Sequence, residues 1–314
     1  MSIKLFLNLG AGDLHSGFDR INSRLEVDGT LVAQTQASLP GNSALQDLHY
    51  QWQFCYAAYY ENCVSPLRNH RNAIEIDRTG ITGFSVSSFA ETTTELAQAM
   101  RQWLDTSSFG EISTQLDQHL LKTAKIVIII ESTADQIHRL PWHCWQVIAD
   151  YPAAKITFSL NTYQRQSSRS QRTKPRILAI FGDSTGIDTA ADAKLIQQLP
   201  ADLVTLTAPS IDEFRRNLTC PQGWDILFFA GHSNDDPVGA IDLNPTASVT
   251  LTDLSDALQT AIERGLQLAI FNCCSGLGLA TSLAQLNIPT AIVMREAVPN
   301  RIAQDFLQTF LVFI

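Results

Sequence analysis

The sequence predicts an α/β fold with a mostly parallel central sheet covered by helices on both faces, preceded by an α+β amino-terminal section. Two observations predict it. Short apolar runs at 225–230 and 268–272 are bounded by turn-forming residues, which is typical of strands buried on both faces. From Arg176 onward, such runs alternate with segments of helical spacing, which favours a parallel sheet with crossover helices.

Residues 1–160 are predicted to form the amino-terminal section. Short β-like runs and amphipathic segments follow one another there without the regular alternation seen later. A proline early in a helix is favourable, so Pro141 is predicted to lie in a first turn. The predicted elements are strands at 3–9, 23–27, 124–130 and 155–160, an aromatic helix-like block at 52–60, and helices at 93–104 and from Leu140.

A linker at 161–175 is predicted to separate this section from a second domain at 176–314. Residues 161–174 read NTYQRQSSRSQRTK, which is polar and has no apolar period, and Pro175 follows. Beyond the linker, Thr252 can cap one helix and Gly265 can stop it. The predicted elements there are strands at 177–181, 203–207, 225–230, 268–272 and 290–294, a short apolar run at 240–243, and helices at 190–199, 211–218, 253–264, 277–286 and from the cap Asn300.

Bulk composition limits the partners and the compartment. The formal charge is −9, and residues 175–314 contain 7 basic and 15 acidic side chains, so no nucleic-acid partner is expected. Six cysteines are too sparse for a disulfide scaffold. No signal peptide opens the chain, and its longest apolar run is far below the roughly 20 residues that span a bilayer. These features predict a cytoplasmic protein without membrane contact from this stretch.

The two apolar runs each end on a reactive residue. The run at 225–230 leads into Gly231 and His232, and the run at 268–272 leads into Cys273 and Cys274. Functional groups of parallel sheets gather at the carboxyl ends of strands, so a histidine and a thiol would meet there if the strands are neighbours. A base beside a thiol is the minimal equipment of a cysteine nucleophile. The alternative is that both are ordinary buried residues, since free cysteines are often buried and inert.

Other candidate sites are weaker. His138, His143 and Cys144 lie close in sequence, but no second ligand pair accompanies them, so surface or capping roles are predicted and no metal is expected. Residues 10–12 fail the dinucleotide pattern at its third glycine and are predicted to form a hairpin turn. Residues 182–186 lack the lysine of a phosphate loop and are predicted to be a plain loop. No cofactor is expected.

Four motifs resemble those of one protein family. They are WDILFFAGHS at 224–233, GLQLAIFNCCSGLG at 265–278, IPTAIVMRE at 288–296 and LPWH at 140–143. With these motifs, residues 176–314 resemble the caspase-like cysteine peptidases, specifically the CHAT domains (caspase-related domains associated with repeats) common in cyanobacteria. Residues 1–160 are similar to the amino-terminal section of that family. The resemblance implies a caspase-like three-layer sandwich.

The resemblance also implies an active site. The family has its histidine at the end of one central strand and its cysteine at the end of the next, which corresponds to His232 and Cys274. Cys274 corresponds better than Cys273, because the family usually has a small residue before the nucleophile. The implied activity is that of a cysteine endopeptidase that hydrolyses protein or peptide substrates through a thioester acyl-enzyme, without cofactor or metal. Backbone N–H groups of Cys274 and of Ser233 or Gly231 would bind the oxyanion.

Three departures from the family favour an alternative, a catalytically inactive CHAT module that acts as a regulatory or scaffold domain of a larger signalling protein. Ser233 stands where the family often has glycine, and Ser275 stands where an acidic or amide residue is common. The chain stops at Ile314 inside a predicted helix, which indicates a fragment of a longer protein. A missing carboxyl-terminal part could be membrane-bound or could bind a regulatory protein partner. A third reading is a nucleotide-binding doubly wound domain.

The linker is rich in basic residues. A solvated tether is the plainer interpretation. A sharper hypothesis is self-cleavage, because some caspase relatives cut after basic residues. The candidate residues are Arg165, Arg169, Arg172 and Lys174, with Asp235, Asp236 or Asp242 as acidic side chains that would receive the cation.

Overall fold

A computed structural model of the protein describes residues 1–60, 86–159, 172–234, 239–273 and 276–312. The contacts divide the chain into two compact units. Unit 1 comprises Met1–Tyr59 and Thr82–Tyr163, and unit 2 comprises Tyr60–Ile81 and Gln164–Ile314. Of the first segment of unit 2, only Tyr60 lies within the described residues.

Unit 1 is built on a mixed five-stranded sheet. Its elements are β1 (Ile3–Asn8), β2 (Gly17–Val27), β3 (Thr30–Pro40), α1 (Ser43–Tyr59), α2 (Val86–Leu104), α3 (Ser107–His119), β4 (Ile126–Glu131), α4 (Asp135–Arg139), a 3₁₀ turn at Trp142–Cys144, α5 (Gln146–Asp150) and β5 (Lys155–Ser159). The strand order is β3-β2-β1-β4-β5. Strands β1, β2 and β3 are antiparallel neighbours, whereas β4 is parallel to both β1 and β5.

Alternating burial along β1 and β4 explains the core of unit 1. Every second residue of each strand is buried, so one face of the sheet is apolar and packs against helices. Met100 and Trp103 of α2 and Phe109 and Ile112 of α3 join those strands in one buried cluster. The glycine-rich stretch at 10–12 connects antiparallel β1 and β2, as predicted, with φ angles of +67° at Gly10 and +152° at Gly12 that favour glycine.

Unit 2 follows a regular β/α order. Its elements are β6 (Arg176–Phe181), α6 (Thr189–Gln197), β7 (Asp202–Thr207), α7 (Ile211–Leu218), β8 (Ile226–Ala230), β9 (Ser233–Asn234), β10 (Ala240–Asn244), β11 (Ala247–Thr250), α8 (Ser255–Glu263), β12 (Leu268–Asn272), α9 (Leu277–Gln285), β13 (Thr290–Val293) and α10 (Asn300–Leu311). The main sheet has the order β13-β12-β8-β6-β7, and all of its neighbouring strands are parallel. A second, antiparallel sheet has the order β11-β10-β9.

Helices cover both faces of the main sheet, which confirms the predicted three-layer α/β sandwich. All five residues of β8 are buried, so its apolar run does not alternate. On one face, Ile196 of α6 and Leu307 of α10 pack against the sheet. On the other face, helices α7, α8 and α9 do so, through residues such as Phe214, Leu258 and Leu279.

Two predicted helix starts in unit 2 are wrong by a few residues. Helix α8 begins at Ser255 rather than directly after Thr252, because Asp253 accepts hydrogen bonds from the N–H and hydroxyl of Thr250 and closes a turn there. Helix α10 has Pro299 at its cap and Asn300 as its first residue. The Pro299 carbonyl accepts the first helical bond, from the N–H of Ala303, so Asn300 does not serve as the cap.

Among the residues that the structure describes, no helix is long and apolar enough to cross a membrane.

Two glycines let the loops after β6 and β8 approach each other. The N–H of Gly182 donates to the carbonyl of Ala230 at 2.8 Å. A Cβ atom at Gly182 would collide with the backbone carbonyl of Asp242 and lie 3.0 Å from the ring of Phe229. A Cβ atom at Gly231 would lie 2.8 Å from that ring and 3.2 Å from the Cα atom of Gly182. The close approach of these loops therefore requires glycine at both positions.

We expect Gly182→Ala to lower the free energy of unfolding by about 1–3 kcal/mol, because the added methyl group meets backbone that cannot move cheaply. Gly110→Ala is the matched opposite case. It lies inside α3 with open space around its Cα atom, so alanine there should stabilise unit 1 by about 1 kcal/mol. Thermal and denaturant unfolding of both variants checks the two signs, and a neutral Gly182→Ala would contradict the packing described here.

Candidate active site

The strand order of unit 2 has a topological switch point between β6 and β8. The chain passes from β6 to β7 on one side of the sheet and from β8 to β12 and β13 on the other. Helix α6, which follows β6, covers one face, whereas the hairpin β10–β11, which follows β8, packs on the opposite face. The chain therefore leaves β6 toward one face of the sheet and β8 toward the other, and such a switch point is where open α/β sheets bind ligands.

His232 lies at this switch point, two residues after β8. The residue is 3% exposed, and its Nε2 atom is 2.7 Å from the backbone carbonyl oxygen of Thr185, in the loop after β6. A carbonyl oxygen can only accept a hydrogen bond, so Nε2 carries the proton of the neutral ring. The Nδ1 atom of the neutral ring is consequently the nitrogen with the lone pair, which is the one able to accept a proton.

Main-chain hydrogen bonds hold His232 from its other end. The N–H of Asp242 in β10 donates to the His232 carbonyl at 3.0 Å, and the N–H of Asp183 donates to the Asp242 carbonyl at 2.9 Å. The Asp183 carboxylate accepts from the N–H of Thr185 at 3.1 Å and from its hydroxyl at 2.7 Å. These bonds form a closed circuit of four residues that includes both the main chain and the ring of His232.

The peptide geometry around His232 orients two backbone N–H groups. In a trans peptide, the C=O of one residue and the N–H of the next point in opposite directions. The His232 carbonyl is bonded to β10, so the N–H of Ser233 points away from β10. The Ala230 carbonyl accepts from Gly182 on the β6 side, so the N–H of Gly231 points toward β12. Ser233 itself is 1% exposed and lies in β9.

The neighbouring strand β12 brings the second predicted reactive segment to the same edge. Strand β12 lies beside β8 in parallel, with Asn272 opposite Ala230. Asn272 is 1% exposed and Cys273 is fully buried in the core cluster that faces α7, α8 and α9. Cys274 and Ser275 lie outside the described residues, so the predicted nucleophile stays a prediction.

Two glycines pack at the chain that follows that segment. The N–H of Gly276 donates to the Met294 carbonyl at 3.0 Å, and helix α9 begins at the next residue. Gly239, with φ of +71°, lies against the first turn of α9, since a Cβ atom there would be 2.8 Å from the N atom of Leu279. The start of β10 and the amino end of α9 therefore lie together at the carboxyl edge of the sheet.

A comparison with protein families assigns the chain. The sequence model of the CHAT domain matches residues 94–312, more than half of the chain. The chain belongs to the CHAT domain family. CHAT domains form a family related to the caspase-like cysteine peptidases, which agrees with the observed α/β sandwich. A search of curated proteins finds no match.

Two residues beside His232 were not predicted from the sequence: Thr185, which contacts the ring of His232, and Asp183, which contacts Thr185. Residues 182–186 form a loop, as predicted, but that loop supplies the Thr185 carbonyl that binds His232 and the Asp183 carboxylate that binds Thr185. An Asp-x-Thr sequence after a strand is typical of a local turn in which the carboxylate binds the main chain, and this was the available signal. The role of a backbone carbonyl leaves no trace in residue identity.

His138, His143 and Cys144, which lie close in sequence, differ in their exposure. His143 is exposed and Cys144 is buried. His138 is only 8% exposed, which corrects the prediction of a surface role, and its ring lies edge-on to Phe158 with centroids 5.2 Å apart. Across the described ranges, no group of three or more His, Cys, Asp or Glu side chains is arranged to hold a metal ion. Burial lowers the pKa of His138, against the weaker opposing effects of Asp135 and of a backbone hydrogen bond at Ser132.

The end of the basic linker is docked rather than solvated, which corrects the tether interpretation for Arg172. Its Nη1 atom donates to Asp225 at 3.0 Å, and its Nη2 atom donates to the Gln222 carbonyl. The same Asp225 carboxylate accepts from the N–H of Arg176 at 2.7 Å. Arg165 and Arg169 lie outside the described residues, as do Asp235 and Asp236. Asp242 uses its main chain to hold His232 and Asp183.

We expect unit 1 to lose stability as the pH falls below about 6.5, the ordinary pKa of histidine. The folded state lowers the pKa of His138, so the unfolded chain binds the proton more tightly and the stabilisation present above about pH 6.5 is lost as the pH falls toward the folded-state pKa. Unfolding of the wild type and of His138→Gln between about pH 7.5 and about pH 5 checks this, with a slope difference of at most about 1.4 kcal/mol per pH unit. Parallel pH profiles would show that His138 does not contribute.

Proposed function

We propose that this CHAT domain is a cysteine endopeptidase that acts on protein or peptide substrates, with Cys274 as nucleophile and His232 as general acid and base. The observation that supports it most is the buried imidazole of His232, whose Nε2 atom is bonded to the Thr185 carbonyl at 2.7 Å. This bond orients the ring and reserves Nδ1 for proton transfer. A histidine oriented by a fixed acceptor is the arrangement that activates nucleophiles in hydrolases.

The register of the sheet favours Cys274 over Cys273 as the partner of this imidazole. The paired register ends at Asn272 opposite Ala230, and Cys274 follows Asn272 by two residues in the sequence as His232 follows Ala230. Cys273 packs in the core on the face that α7, α8 and α9 cover, whereas successive side chains of a strand alternate between faces. A nucleophile must be accessible, and the complete burial of Cys273 argues against that role.

Helix α9 supplies a favourable electrostatic environment for a thiolate. It has nine residues, begins at Leu277 and has no acidic residue in its first turn. The amino end of a helix carries a partial positive charge that stabilises nearby anions and lowers the pKa of cysteine thiols. Cys274 precedes this helix by three positions in the sequence.

Ser233 is the better of the two predicted donors for an oxyanion. Its N–H points away from β10, whereas the N–H of Gly231 points toward the neighbouring strand β12. An oxyanion hole needs donors that are fixed before the reaction, and the hydrogen bond from Asp242 to the His232 carbonyl fixes this peptide. Serine in place of the family's frequent glycine keeps the N–H group, so the departure does not remove the donor.

The proposed reaction is an ordinary acyl transfer in two stages. Nδ1 of His232 takes the proton of the Cys274 thiol, the resulting thiolate attacks the carbonyl carbon of the scissile bond, and the N–H groups of Ser233 and Cys274 bind the oxyanion. His232 then donates its Nδ1 proton to the leaving amine, and a thioester remains. In the second stage, Nδ1 takes a proton from water, the hydroxide displaces the thiol, and the acid product leaves while the proton returns to sulfur.

A cytoplasmic location, a regulatory protein partner and a linker at 161–175 between the two domains are proposed together with this function.

We expect a cysteine-selective electrophile to label Cys274 of the wild type rapidly near neutral pH. In His232→Ala the labelling rate should fall about tenfold or more, because an isolated thiol is mostly protonated there. Hydrolysis of a peptide library should fall by about 10²–10⁴-fold in the same variant. Labelling between about pH 5 and about pH 9, with the label located by mass spectrometry, checks the thiolate directly.

Cys273→Ala is the matched control, because it removes the adjacent thiol and should leave labelling and hydrolysis intact, whereas Cys274→Ala should abolish both. Slow labelling spread over several cysteines and unchanged in His232→Ala would contradict the proposed dyad. That outcome would instead favour the inactive CHAT module with a regulatory or scaffold role.

A further inference from the structure

We propose that Asp183 is a positioning residue whose buried carboxylate holds the Thr185 carbonyl against the imidazole of His232. The consequence for activity rests on the proposed peptidase function, whereas the consequence for the His232 ring does not. Asp183 lies in the loop between β6 and α6 and is 4% exposed. Asp183 is distant from His232 in the sequence, and its effect on the ring passes through Thr185.

The contacts of Asp183 fix the residue that bears the carbonyl. Its Oδ1 atom accepts from both the N–H of Thr185, at 3.1 Å, and the Thr185 hydroxyl, at 2.7 Å. Two bonds to one residue, one on its main chain and one on its side chain, restrict rotation about the bonds that aim its carbonyl. That carbonyl then lies 2.7 Å from Nε2 of His232.

The main chain of Asp183 reinforces the same arrangement. Its N–H donates to the Asp242 carbonyl at 2.9 Å, and the Asp242 N–H donates to the His232 carbonyl at 3.0 Å. Asp183 therefore connects to His232 twice, through Thr185 to the ring and through Asp242 to the backbone. A side-chain substitution removes only the first connection, so the two contributions can be separated.

Asp188, in the same loop, provides a matched control. It is the cap of α6, and its carboxylate accepts from the N–H of Ala191 at 3.1 Å. Its substitution removes a comparable carboxylate-to-backbone bond from the loop without touching the bonds to Thr185. If Asp183 merely stabilised the loop, Asp183→Ala and Asp188→Ala would have the same effects on His232.

The experiment has one readout on the ring and one on the thiol. Imidazole nitrogen NMR spectra of isotope-labelled histidine in the full chain report the His232 tautomer and whether its Nε2 proton is held in a hydrogen bond. We expect the Nε2–H form in the wild type, in Asp188→Ala and in Asp183→Asn, since asparagine keeps the Oδ1 acceptor. We expect a mixture of tautomers and a rapidly exchanging proton in Asp183→Ala.

Electrophile labelling of Cys274 is the second readout. It should be about 10- to 100-fold slower in Asp183→Ala, because small misplacements of a catalytic group are costly, and near the wild-type rate in Asp183→Asn. An unchanged His232 ring signal in Asp183→Ala would overturn the proposal, as would an Asp183→Asn variant as defective as Asp183→Ala. If the ring responds as expected but Cys274 is unreactive in the wild type, the positioning role stands and the proposed peptidase function fails.

Discussion

Burial of the main sheet of unit 2 on both faces decides where polar chemistry can stand. Every residue of β8 is buried, and so are four of the five residues of β12. A polar side chain inside these strands would lose its hydration without a partner, which costs several kcal/mol. The first positions that can hold hydrogen-bonded polar side chains are therefore at the carboxyl ends of the strands, where His232 and Asn272 lie. The strand order then marks the carboxyl ends of β6 and β8 as the switch point at which open α/β sheets bind ligands.

Glycine converts this edge into a hydrogen-bonded site. Because neither Gly182 nor Gly231 has a side chain, the loops after β6 and β8 come close enough for the Thr185 carbonyl to reach the His232 ring. The hairpin of β10 then closes the arrangement through Asp242. The imidazole of the proposed mechanism is thus held by the Thr185 carbonyl in the loop after β6, and the main chain of His232 is held by the Asp242 N–H in β10.

The sequence could predict what depends on apolar patterning, and the structure confirms it. The runs at 225–230 and 268–272 predicted buried strands, and the structure pairs these strands side by side, with His232 at the expected edge. Patterning could not reveal β9, which has only two residues. It also could not reveal the burial of His138, since a histidine on a short helix has no periodic context. The Thr185 contact was beyond reach for a different reason, because every residue has a carbonyl.

That contact has a consequence for how such a site evolves. A side chain that orients a catalytic base is exposed to every point mutation at its codon, and its loss is visible in any comparison of relatives. Every amino acid has a main-chain carbonyl, so no substitution at position 185 removes the acceptor that orients His232. Selection can act on the side chains that shape the loop, such as the carboxylate at 183 and the Thr185 hydroxyl that it binds, and on the glycine at 182. Mutations that disturb this contact therefore act through the residues that position the Thr185 carbonyl, and none removes the carbonyl itself.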